Sequence, residues 1–274
     1  MTRVAGVIGS PIAHSLSPAI FTAAFEAAGL DWVYRTFEVA EPDAAAFMDE
    51  VRRGAIDGLS VTMPDKAAVI PALDQLAPVA RDLGAVNCVA RQGDELWGHN
   101  TDGDGLLDAL RLEAGVDVDG LCCVVVGAGG AGRAVARALG TAGASAVVVV
   151  NRSPEPAASA AALAGPRGSV GDTASIPDAD LVVNTTPLGM GEDGRLPFDP
   201  ALVGAGQIVV DIVYHPLVTP LLAAAEAAGA RTVGGLGMLI HQAGHAFRIW
   251  TGEEPPIDAM RAGATAALAA RKAP

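Results

Sequence analysis

The sequence predicts an α/β protein of two domains, and three observations lead to this prediction. The chain has 274 residues, more than the roughly 150 of a typical domain, with one large domain as the alternative. Hydrophobic residues make up 51% of it, charged residues 18%, and the mean hydropathy is +0.37, so there is ample material for a core. Short apolar runs alternate with segments of helical periodicity, as in proteins built on mostly parallel sheets.

The first hundred residues contain five predicted elements in βαβαβ order. These are a strand at 3–8, a helix at 18–28, a strand at 36–39, a helix at 43–53 and a strand at 58–62. Gly29 ends the first helix, and the last strand ends in polar residues. This part of the chain is expected to form an α/β domain with a mostly parallel sheet.

A second α/β series begins at Leu121. The strand CCVVV leads into GAGGAG and the helical RAVARALGTAG, and the buried strand VVVV ends at Val150. The helical AASAAALAG, the strand-to-turn segments DLVVNTTP and QIVVDIVY, the helix LIHQAGHAFRIW and an Ala-rich helix follow. The domain boundary is predicted near residues 98–106, where GHNTDGDG breaks both periodicities.

Charge and targeting signals narrow the class of partner. The net charge of −13 and the pI near 4.7 disfavour nucleic acids and anionic membranes, because long-range repulsion would oppose their binding. No apolar run approaches the roughly 18 residues of a membrane span, and the N-terminus does not have the pattern of a signal peptide. We expect a cytoplasmic protein with a small-molecule partner, and we expect the adjacent Cys122 and Cys123 to be core residues.

The glycines Gly127, Gly129 and Gly132 form a G-x-G-x-x-G motif between a strand and a helix. The first glycine permits a tight turn, the second lets the backbone approach a pyrophosphate, and the third lets the helix pack on the strand. The phosphates would lie at the positive end of that helix. The second series is therefore predicted to be a Rossmann-type dinucleotide-binding domain.

The end of the next strand predicts which dinucleotide binds. An NAD site places a carboxylate there to hold the ribose 2′-hydroxyl, whereas this chain has Asn151, Arg152 and Ser153. All three side chains can donate hydrogen bonds to a 2′-phosphate, which a carboxylate would repel. The predicted cofactor is NADP(H).

Polar residues follow the predicted strands of the first series. They are Ser15 and Ser17, then Ser60, Thr62 and Lys66, then Asn87, and finally Asn100, Thr101 and Asp102. A substrate of a Rossmann enzyme lies at the carboxyl ends of the strands, so the active site is expected in the cleft between the two domains. Turn chemistry explains each residue singly. Together they would make a pocket with one cation, one carboxylate and several neutral donors.

Lys66 stands out because the chain has 18 basic residues and only two are lysines, Lys66 and Lys272. Hydride transfer to a carbonyl leaves an alkoxide, which needs a proton donor or a nearby positive charge. A buried lysine can provide either, whereas an arginine stays charged. We predict that Lys66 does so with Asp102 as its partner, on a small polyhydroxylated acid.

The order and spacing of several motifs resemble the shikimate dehydrogenase family from residue 8 to about residue 250. The motifs are IAHSLSP, VTMPDK, GAVN, NTDG, GAGGAGRA, NRS, NTTPLGM, DIVYHPLVTPLL and GLGMLIHQAGHAF. The resemblance implies reversible NADPH-dependent reduction of 3-dehydroshikimate to shikimate, in the pathway through chorismate to the aromatic amino acids. It also implies a substrate-binding domain of residues 1–101 and 238–274, an NADP-binding domain of residues 102–237, and a monomer or homodimer.

The resemblance also implies roles for individual residues. Lys66 and Asp102 match the catalytic pair, which also contacts the substrate. Ser15, Ser17 and Tyr214 match residues that hold the substrate carboxylate. Thr62, Asn87 and Gln242 match residues that bind the ring and its hydroxyls. The implied cofactor-binding residues are Gly127, Ala128, Gly129, Gly130, Ala131, Gly132, Asn151, Arg152, Ser153, Thr185, Gly235 and Met238.

Two features of the sequence depart from the family pattern. Ser60 occupies a position where the family commonly has asparagine, which would alter one hydrogen bond near the substrate. Pro154, Glu155 and Pro156 occupy positions where a further basic residue is often found, and Glu155 would oppose a 2′-phosphate.

Two other functions and one other kind of site are open alternatives. The same fold could act on quinate or an aminoshikimate, although Ser17 disfavours quinate because quinate-preferring relatives tend to differ there. A non-catalytic NADP-binding sensor is a second alternative, disfavoured by the pairing of Lys66 with Asp102. His241 and His245 have an i, i+4 spacing that can bind zinc, but no third ligand accompanies them, so no metal is expected.

Overall fold

The computed structural model describes residues 2–271, so Met1 and the last three residues, Lys272 among them, lie outside the described part. The chain divides into two compact units. The terminal unit contains the chain up to Thr101 and from Ile240 onward, and the inserted unit is Asp102–Leu239. Both are α/β, as the sequence predicts.

The terminal unit contains a mixed six-stranded sheet. Its strands are β1 (Arg3–Gly9), β2 (Trp32–Glu38), β3 (Gly58–Val61), β4 (Gln75–Leu76), β5 (Cys88–Gln92) and β6 (Glu95–His99), in the order β2-β1-β3-β5-β6-β4. β1 is parallel to both β2 and β3, and β4 is parallel to β6. β5 runs antiparallel to β3 and β6. The predicted mostly parallel sheet is confirmed, with an antiparallel hairpin that the sequence analysis did not include.

The helices of the terminal unit flank this sheet. They are α1 (Ser17–Ala27), α2 (Ala44–Arg52), α3 (Pro78–Leu83) and α9 (Ile257–Arg271). α1 packs closely on α9, because a Cβ at Gly263 would lie 2.5 Å from the Ala19 carbonyl oxygen. Arg271, at the end of α9, donates hydrogen bonds to the carbonyls of His14 and Ser15. The end of α9 therefore holds the loop that precedes α1.

Aromatic side chains fill one side of the terminal unit. The ring of Tyr34 stacks on that of Phe21, with centroids 4.6 Å apart and planes 5° apart. Trp250 lies 4.9 Å from Phe21, centroid to centroid, and its Nε1 donates a hydrogen bond to the Val89 carbonyl. This packing joins β2, α1 and the C-terminal segment.

The inserted unit contains a six-stranded parallel sheet. Its strands are β7 (Cys122–Val126), β8 (Ala146–Val150), β9 (Gly168–Gly171), β10 (Leu181–Asn184), β11 (Ile208–Asp211) and β12 (Arg231–Gly234), in the order β12-β11-β10-β7-β8-β9. Every pairing is parallel. This is the doubly wound order of a dinucleotide-binding fold, and its topological switch point lies between β7 and β10.

The helices of the inserted unit are α4 (Asp102–Asp108), α5 (Gly130–Thr141), α6 (Pro154–Ala162) and α7 (Pro220–Ala227). A further helix, α8 (Leu236–Thr251), contains the second unit boundary. Successive residues of β7 belong to cores on opposite faces of the sheet, Val125 to one and Val124 to the other. This two-sided burial explains why the strand is a continuous apolar run in the sequence.

Candidate active site

The glycine-rich loop connects β7 to α5 at the switch point of the inserted sheet. Gly127 has a φ of +107°, and a Cβ there would lie 2.6 Å from Thr185 Oγ1. A Cβ on Gly132 would collide with the Gly127 carbonyl. Gly129 differs, because no heavy atom lies within 4 Å of the position its Cβ would take. The loop is thus packed against its own unit at its ends and open in the middle, as close approach of a phosphate requires.

Thr185 shapes this loop. Its Oγ1 lies 2.9 Å from the Val126 carbonyl oxygen and 3.2 Å from that of Gly127, so the single hydroxyl proton is shared between them. Sequence reasoning places Thr185 among the cofactor residues. In the structure, its hydroxyl donates to backbone carbonyls where β7 ends and the loop begins.

The first turn of α5 supplies backbone donors. Gly129 is its N-cap and makes no side-chain cap hydrogen bond, so the amides of Gly130, Ala131 and Gly132 have no side-chain acceptor in the cap. Ala128, before them, is buried. Such an uncapped helix start favours an anionic group.

The segment after β8 carries the three residues predicted to select NADP. Asn151 Nδ2 donates to the Ser153 carbonyl at 3.0 Å, which orders the turn. Arg152 and Ser153 are exposed at the start of α6. Sequence reasoning did not include Arg133 of α5, whose Nη1 donates to Ser159 Oγ of α6 at 2.8 Å. A second guanidinium therefore lies between the two helices that flank the predicted phosphate site.

In the terminal unit, Ser15 and Ser17 form a local turn ahead of α1. The Ser17 amide donates to Ser15 Oγ at 3.2 Å, and the Ser17 side chain is largely buried. Pro18 follows at the start of the helix, where its missing N–H has no cost. Ser15 Oγ is thus placed against the backbone of Ser17, and a carboxylate held by the two serines stays a prediction.

Ser60, the departure from the family pattern, contacts Tyr34. The Tyr34 hydroxyl donates to Ser60 Oγ at 2.8 Å. Burial raises the pKa of Tyr34 well above its usual value, and hydrogen bonds with Ser60 and Ser17 oppose that rise. Tyr34 of β2 thus connects to Ser60 of β3, a contact that sequence reasoning missed.

Thr62 and Lys66 lie on the tight turn that follows β3. The Thr62 amide donates to the Ile8 carbonyl and the Asp65 amide donates to the Thr62 carbonyl, which closes the turn. The Lys66 carbonyl accepts from the Val86 amide at 2.8 Å, and the residue is half-buried. Backbone hydrogen bonds at Asp65 and at Lys66 itself therefore hold the lysine backbone in position.

Asn87 and Gln242 are 155 positions apart in the sequence and meet in the structure. Asn87 Nδ2 lies 3.4 Å from Gln242 Oε1, and Asn87 Oδ1 accepts from the Thr101 amide at 2.9 Å. Thr101 Oγ1 donates to the Gln242 carbonyl at 3.0 Å. The GHNTDG segment indicated a polar residue at 101, but only the fold shows that it joins Asn87 to Gln242.

The remaining predicted site residues belong to the inserted unit. Asp102 is the first residue of α4 and is buried. Gly235 packs against the Ile212 backbone so closely that a Cβ would overlap its carbonyl. Met238 is buried in the core of the inserted unit, and Tyr214 follows β11. Because Lys66 and Asp102 lie in different units, their pairing stays a prediction.

A buried polar network at the ends of β10 and β11 is a further feature that sequence reasoning missed. Asp211 accepts hydrogen bonds from Asn184 at 2.9 Å and from the Thr219 hydroxyl at 2.6 Å. Asn184 in turn accepts from the amide and hydroxyl of Thr186. Burial raises the pKa of Asp211, against these hydrogen bonds. The network fixes the loops that carry Thr185 and Tyr214.

Two other kinds of feature are absent from residues 2–271. No helix there combines the length and the apolar character that crossing a bilayer demands. Over the same residues, no three histidine, cysteine, aspartate or glutamate side chains are grouped as metal ligands would be.

Family models match three parts of the chain. The model described as the shikimate dehydrogenase substrate binding domain matches residues 7–89, and that of the shikimate 5′-dehydrogenase C-terminal domain matches residues 235–262. A model described as NADP oxidoreductase, coenzyme F420-dependent, matches residues 123–215, which include the glycine-rich loop.

Individual relatives cover nearly the whole chain. The shikimate dehydrogenase (NADP(+)) of Geobacter sp. strain M21 is 47% identical over 98% of this chain and 96% of its own. The crystal structure of shikimate 5-dehydrogenase from Thermus thermophilus in complex with NADP(H) and shikimate has a TM-score of 0.91 at 38% identity, covering 97% of this chain and 99% of that one. A quinate dehydrogenase from Corynebacterium glutamicum, in complex with NAD, has a TM-score of 0.87 at 34% identity, covering 97% and 99%.

Proposed function

The chain belongs to the shikimate dehydrogenase family, and from this premise we propose that it catalyses the reversible NADPH-dependent reduction of 3-dehydroshikimate to shikimate. The observation that carries the proposal is the full-length likeness to an enzyme whose structure contains both NADP(H) and shikimate. The uncapped start of α5 and the donors after β8 supply the anion site that NADP requires. The enzyme is an oxidoreductase of the pathway to the aromatic amino acids.

We assign the two ligands to the two units. The terminal unit, with Ser15, Ser17, Thr62, Asn87 and Gln242, binds the substrate, and Tyr214 assists at the carboxylate. The inserted unit binds NADP through the glycine-rich loop, the segment 151–153, Gly235 and Met238. The open space beside Gly129 supports this assignment, because nothing lies within 4 Å of the position its Cβ would take.

Bound NADPH supplies the hydride that reduces the substrate carbonyl. Negative charge develops on the carbonyl oxygen as its carbon is reduced, and Lys66 stabilises this charge and gives up a proton to form the hydroxyl. Asp102 orients the ammonium. The hydrogen bond between the Lys66 carbonyl and the Val86 amide holds the lysine in place for this step.

A two-by-two assay tests the function. We expect turnover of shikimate with NADP to exceed turnover of quinate, and NADP to exceed NAD with either acid, measured as kcat/KM from absorbance of the reduced cofactor. Preference for quinate would assign the other dehydrogenase activity to this fold. Binding of NADP without turnover of either acid would overturn the proposal and favour the alternative of a non-catalytic NADP-binding sensor.

Substitutions of Lys66 test its role. Lys66→Arg keeps the charge but is a poor proton donor, so we expect kcat to fall about 10²- to 10⁴-fold. The kcat of Lys66→Ala should fall at least as far. The matched control is Arg53→Lys at the exposed residue that follows α2, where kcat should not change. Full activity in Lys66→Arg would rule out proton donation by this residue.

We further propose that the enzyme works in the cytoplasm as a monomer or homodimer. The acidic net charge of −13 supports a small-molecule enzyme rather than one that binds anionic surfaces. Analytical ultracentrifugation distinguishes the two states, and a stable larger assembly would contradict the proposal.

A further inference from the structure

Arg133 of α5 is a cation that the proposed function does not use, and it lies at the edge of the sheet where the 2′-phosphate of NADP is predicted. β7 and β8 pair in parallel as far as Val126 and Val150, and the Gly127 amide donates to the Val150 carbonyl at 2.8 Å. The glycine-rich loop and the segment 151–153 therefore leave the sheet side by side, about 5 Å apart. Arg133 directly follows the glycine-rich motif.

The Arg133 guanidinium extends from α5 to α6. Its Nη1 donates to Ser159 Oγ at 2.8 Å, and the residue is half-buried. Ser159 lies three residues after Pro156 and four after Glu155, so the three residues share one face of α6 within about one turn. The guanidinium is therefore held about one helical turn from the positions where the family often has a further basic residue.

The place of Arg133 within α5 is electrostatically unfavourable in the absence of an anion. It is the fourth residue of the helix, and its amide makes the first backbone hydrogen bond, to the Gly129 carbonyl at 2.9 Å. A helix start carries partial positive charge, which disfavours a cation, and the first turn of α5 contains no acidic residue. An anionic group bound between α5 and the segment 151–153 would turn this repulsion into attraction.

A contact between the two helices does not by itself require an arginine. Ser159 accepts from one nitrogen of the guanidinium, which has five N–H groups in a planar fork. Such a fork binds phosphate oxygens in pairs, and more strongly than neutral donors do.

We propose that Arg133 is a ligand of the 2′-phosphate of NADP and, together with Arg152, determines the preference for NADP over NAD. This inference rests on the proposed function, since it presumes NADP at the glycine-rich loop. The second cation of the phosphate site then comes from α5 rather than from α6, where this chain has prolines and an acid. Its charge also offsets that of the exposed Glu155.

The first test measures binding without turnover, by isothermal titration calorimetry on the intact chain. The ligands are adenosine 2′,5′-bisphosphate, which carries the 2′-phosphate, and AMP, which lacks it. Loss of a hydrogen bond between charged groups corresponds to about a ten- to hundredfold rise in Kd. We expect this rise for the bisphosphate in Arg133→Gln, with the Kd of AMP unchanged.

Steady-state kinetics give a second readout. In Arg133→Gln the KM for NADP should rise by the same factor, whereas kcat and the KM values for NAD and shikimate should not change. Ser159→Ala should raise the KM for NADP by a smaller factor, because the guanidinium keeps its charge and loses one anchor. The matched control is Arg137→Gln, a half-buried arginine of the same helix one turn further from the loop, which should leave the ratio of the two cofactor KM values unchanged.

A second-site substitution tests whether the two helices serve one phosphate. Pro156→Arg places a cation on the face of α6 that Arg133 contacts through Ser159. Added to Arg133→Gln, it should restore most of the affinity for adenosine 2′,5′-bisphosphate without changing that for AMP.

The outcomes distinguish this inference from the function on which it rests. If the wild type does not turn over shikimate with NADP, the proposed function fails. If the wild type prefers NADP and Arg133→Gln keeps that preference, or loses affinity equally for the bisphosphate and AMP, Arg133 is not a ligand of the 2′-phosphate. An equal effect in Arg137→Gln would also contradict the proposal. Should Arg133→Gln fail to fold, Ser159→Ala gives the same comparison.

Discussion

Asp65 is a buried carboxyl group directly before the proposed catalytic lysine. It is fully buried, and no hydrogen-bond partner for either carboxylate oxygen exists among residues 2–271. Burial raises its pKa, and the nearby negative charge of Glu41 raises it further. An ionised carboxylate in such surroundings destabilises the fold, because nothing replaces its lost hydration.

Replacing Asp65 by asparagine should stabilise the protein in a pH-dependent way. The folded-state pKa of Asp65 lies above its unfolded value, so the neutral acid is favoured by folding. Its contribution to stability is present below the unfolded pKa and is lost as pH rises through the folded pKa. Asp65→Asn cannot ionise, so its advantage in free energy of unfolding should be small near pH 4 and grow toward pH 8, as measured by urea unfolding.

The matched control for this prediction is Asp94→Asn. Asp94 is exposed in the turn between β5 and β6, so its replacement should give no difference that grows with pH. If the advantage of Asp65→Asn were constant, or larger in acid, Asp65 would have to be stabilised as the anion in the folded protein.

The contrast between Lys66 and Tyr34 shows what the sequence can predict at this scale. Lys66 is recognisable because a rare residue type follows a strand among other polar residues. Tyr34 is not, since a tyrosine within a strand is ordinary and its partner, Ser60, comes from a segment whose proximity only the fold decides. The burial of Asp65 is hidden for the same reason, because a charged residue in a turn is normally exposed.

At the scale of elements, one buried carboxylate ties two strand ends to a helix. Thr219 donates to Asp211 at 2.6 Å, and its Oγ1 accepts from the Leu222 amide at 3.2 Å as the N-cap of α7. Both groups are fully buried. The loop after β11, which carries Tyr214, is therefore held between Asp211 and the start of α7.

Thr219→Val should destabilise the protein with little change in shape. It removes a hydrogen bond to a carboxylate and a helix cap, each contributing about 1–2 kcal/mol. We expect the free energy of unfolding to fall by about 2–4 kcal/mol and kcat/KM for shikimate to fall with it, measured by urea unfolding and steady-state assay. Thr219→Ser keeps the hydroxyl and should retain most of both. A variant with valine as stable as wild type would show that the network contributes no net stability.

Element prediction succeeded where a pattern was local and failed where pairing decided it. The strand β7, the glycine-rich loop and α5 follow from contiguous sequence. The hairpin of β5 and β6 was missed although Gly93 and Asp94 occupy its turn, a dipeptide typical of two-residue hairpins. The edge strands β9 and β12 were missed because GSVG and RTVG are short and only partly buried.

At the scale of the whole molecule, the two ligands should protect different stretches of the chain from hydrogen exchange. A ligand slows exchange where it stabilises the backbone that holds it. NADP alone should slow exchange at 127–132 and 151–153 in the inserted unit. Shikimate alone should slow it at 15–17 and 62–66 in the terminal unit.

This measurement uses the intact chain and hydrogen exchange with mass spectrometry. The segment 165–171, which includes the edge strand β9, is the internal control, because neither ligand is assigned there. Protection of 62–66 by NADP alone, or of 127–132 by shikimate alone, would reverse the assignment of ligands to units.

The hydrogen bond from Thr101 to the Gln242 carbonyl has a consequence for how such a protein can be built and altered. The chain leaves the terminal unit at Thr101 and returns to it at Ile240. The hydrogen bond therefore joins the point of departure to Gln242, two residues after the point of return. With both ends of the insertion held side by side, the terminal unit needs only a short connection to be closed, and closing a short loop costs little entropy. The inserted unit is in this sense a replaceable domain. An engineer could exchange it for one with another nucleotide preference while the path of the surrounding chain stays the same.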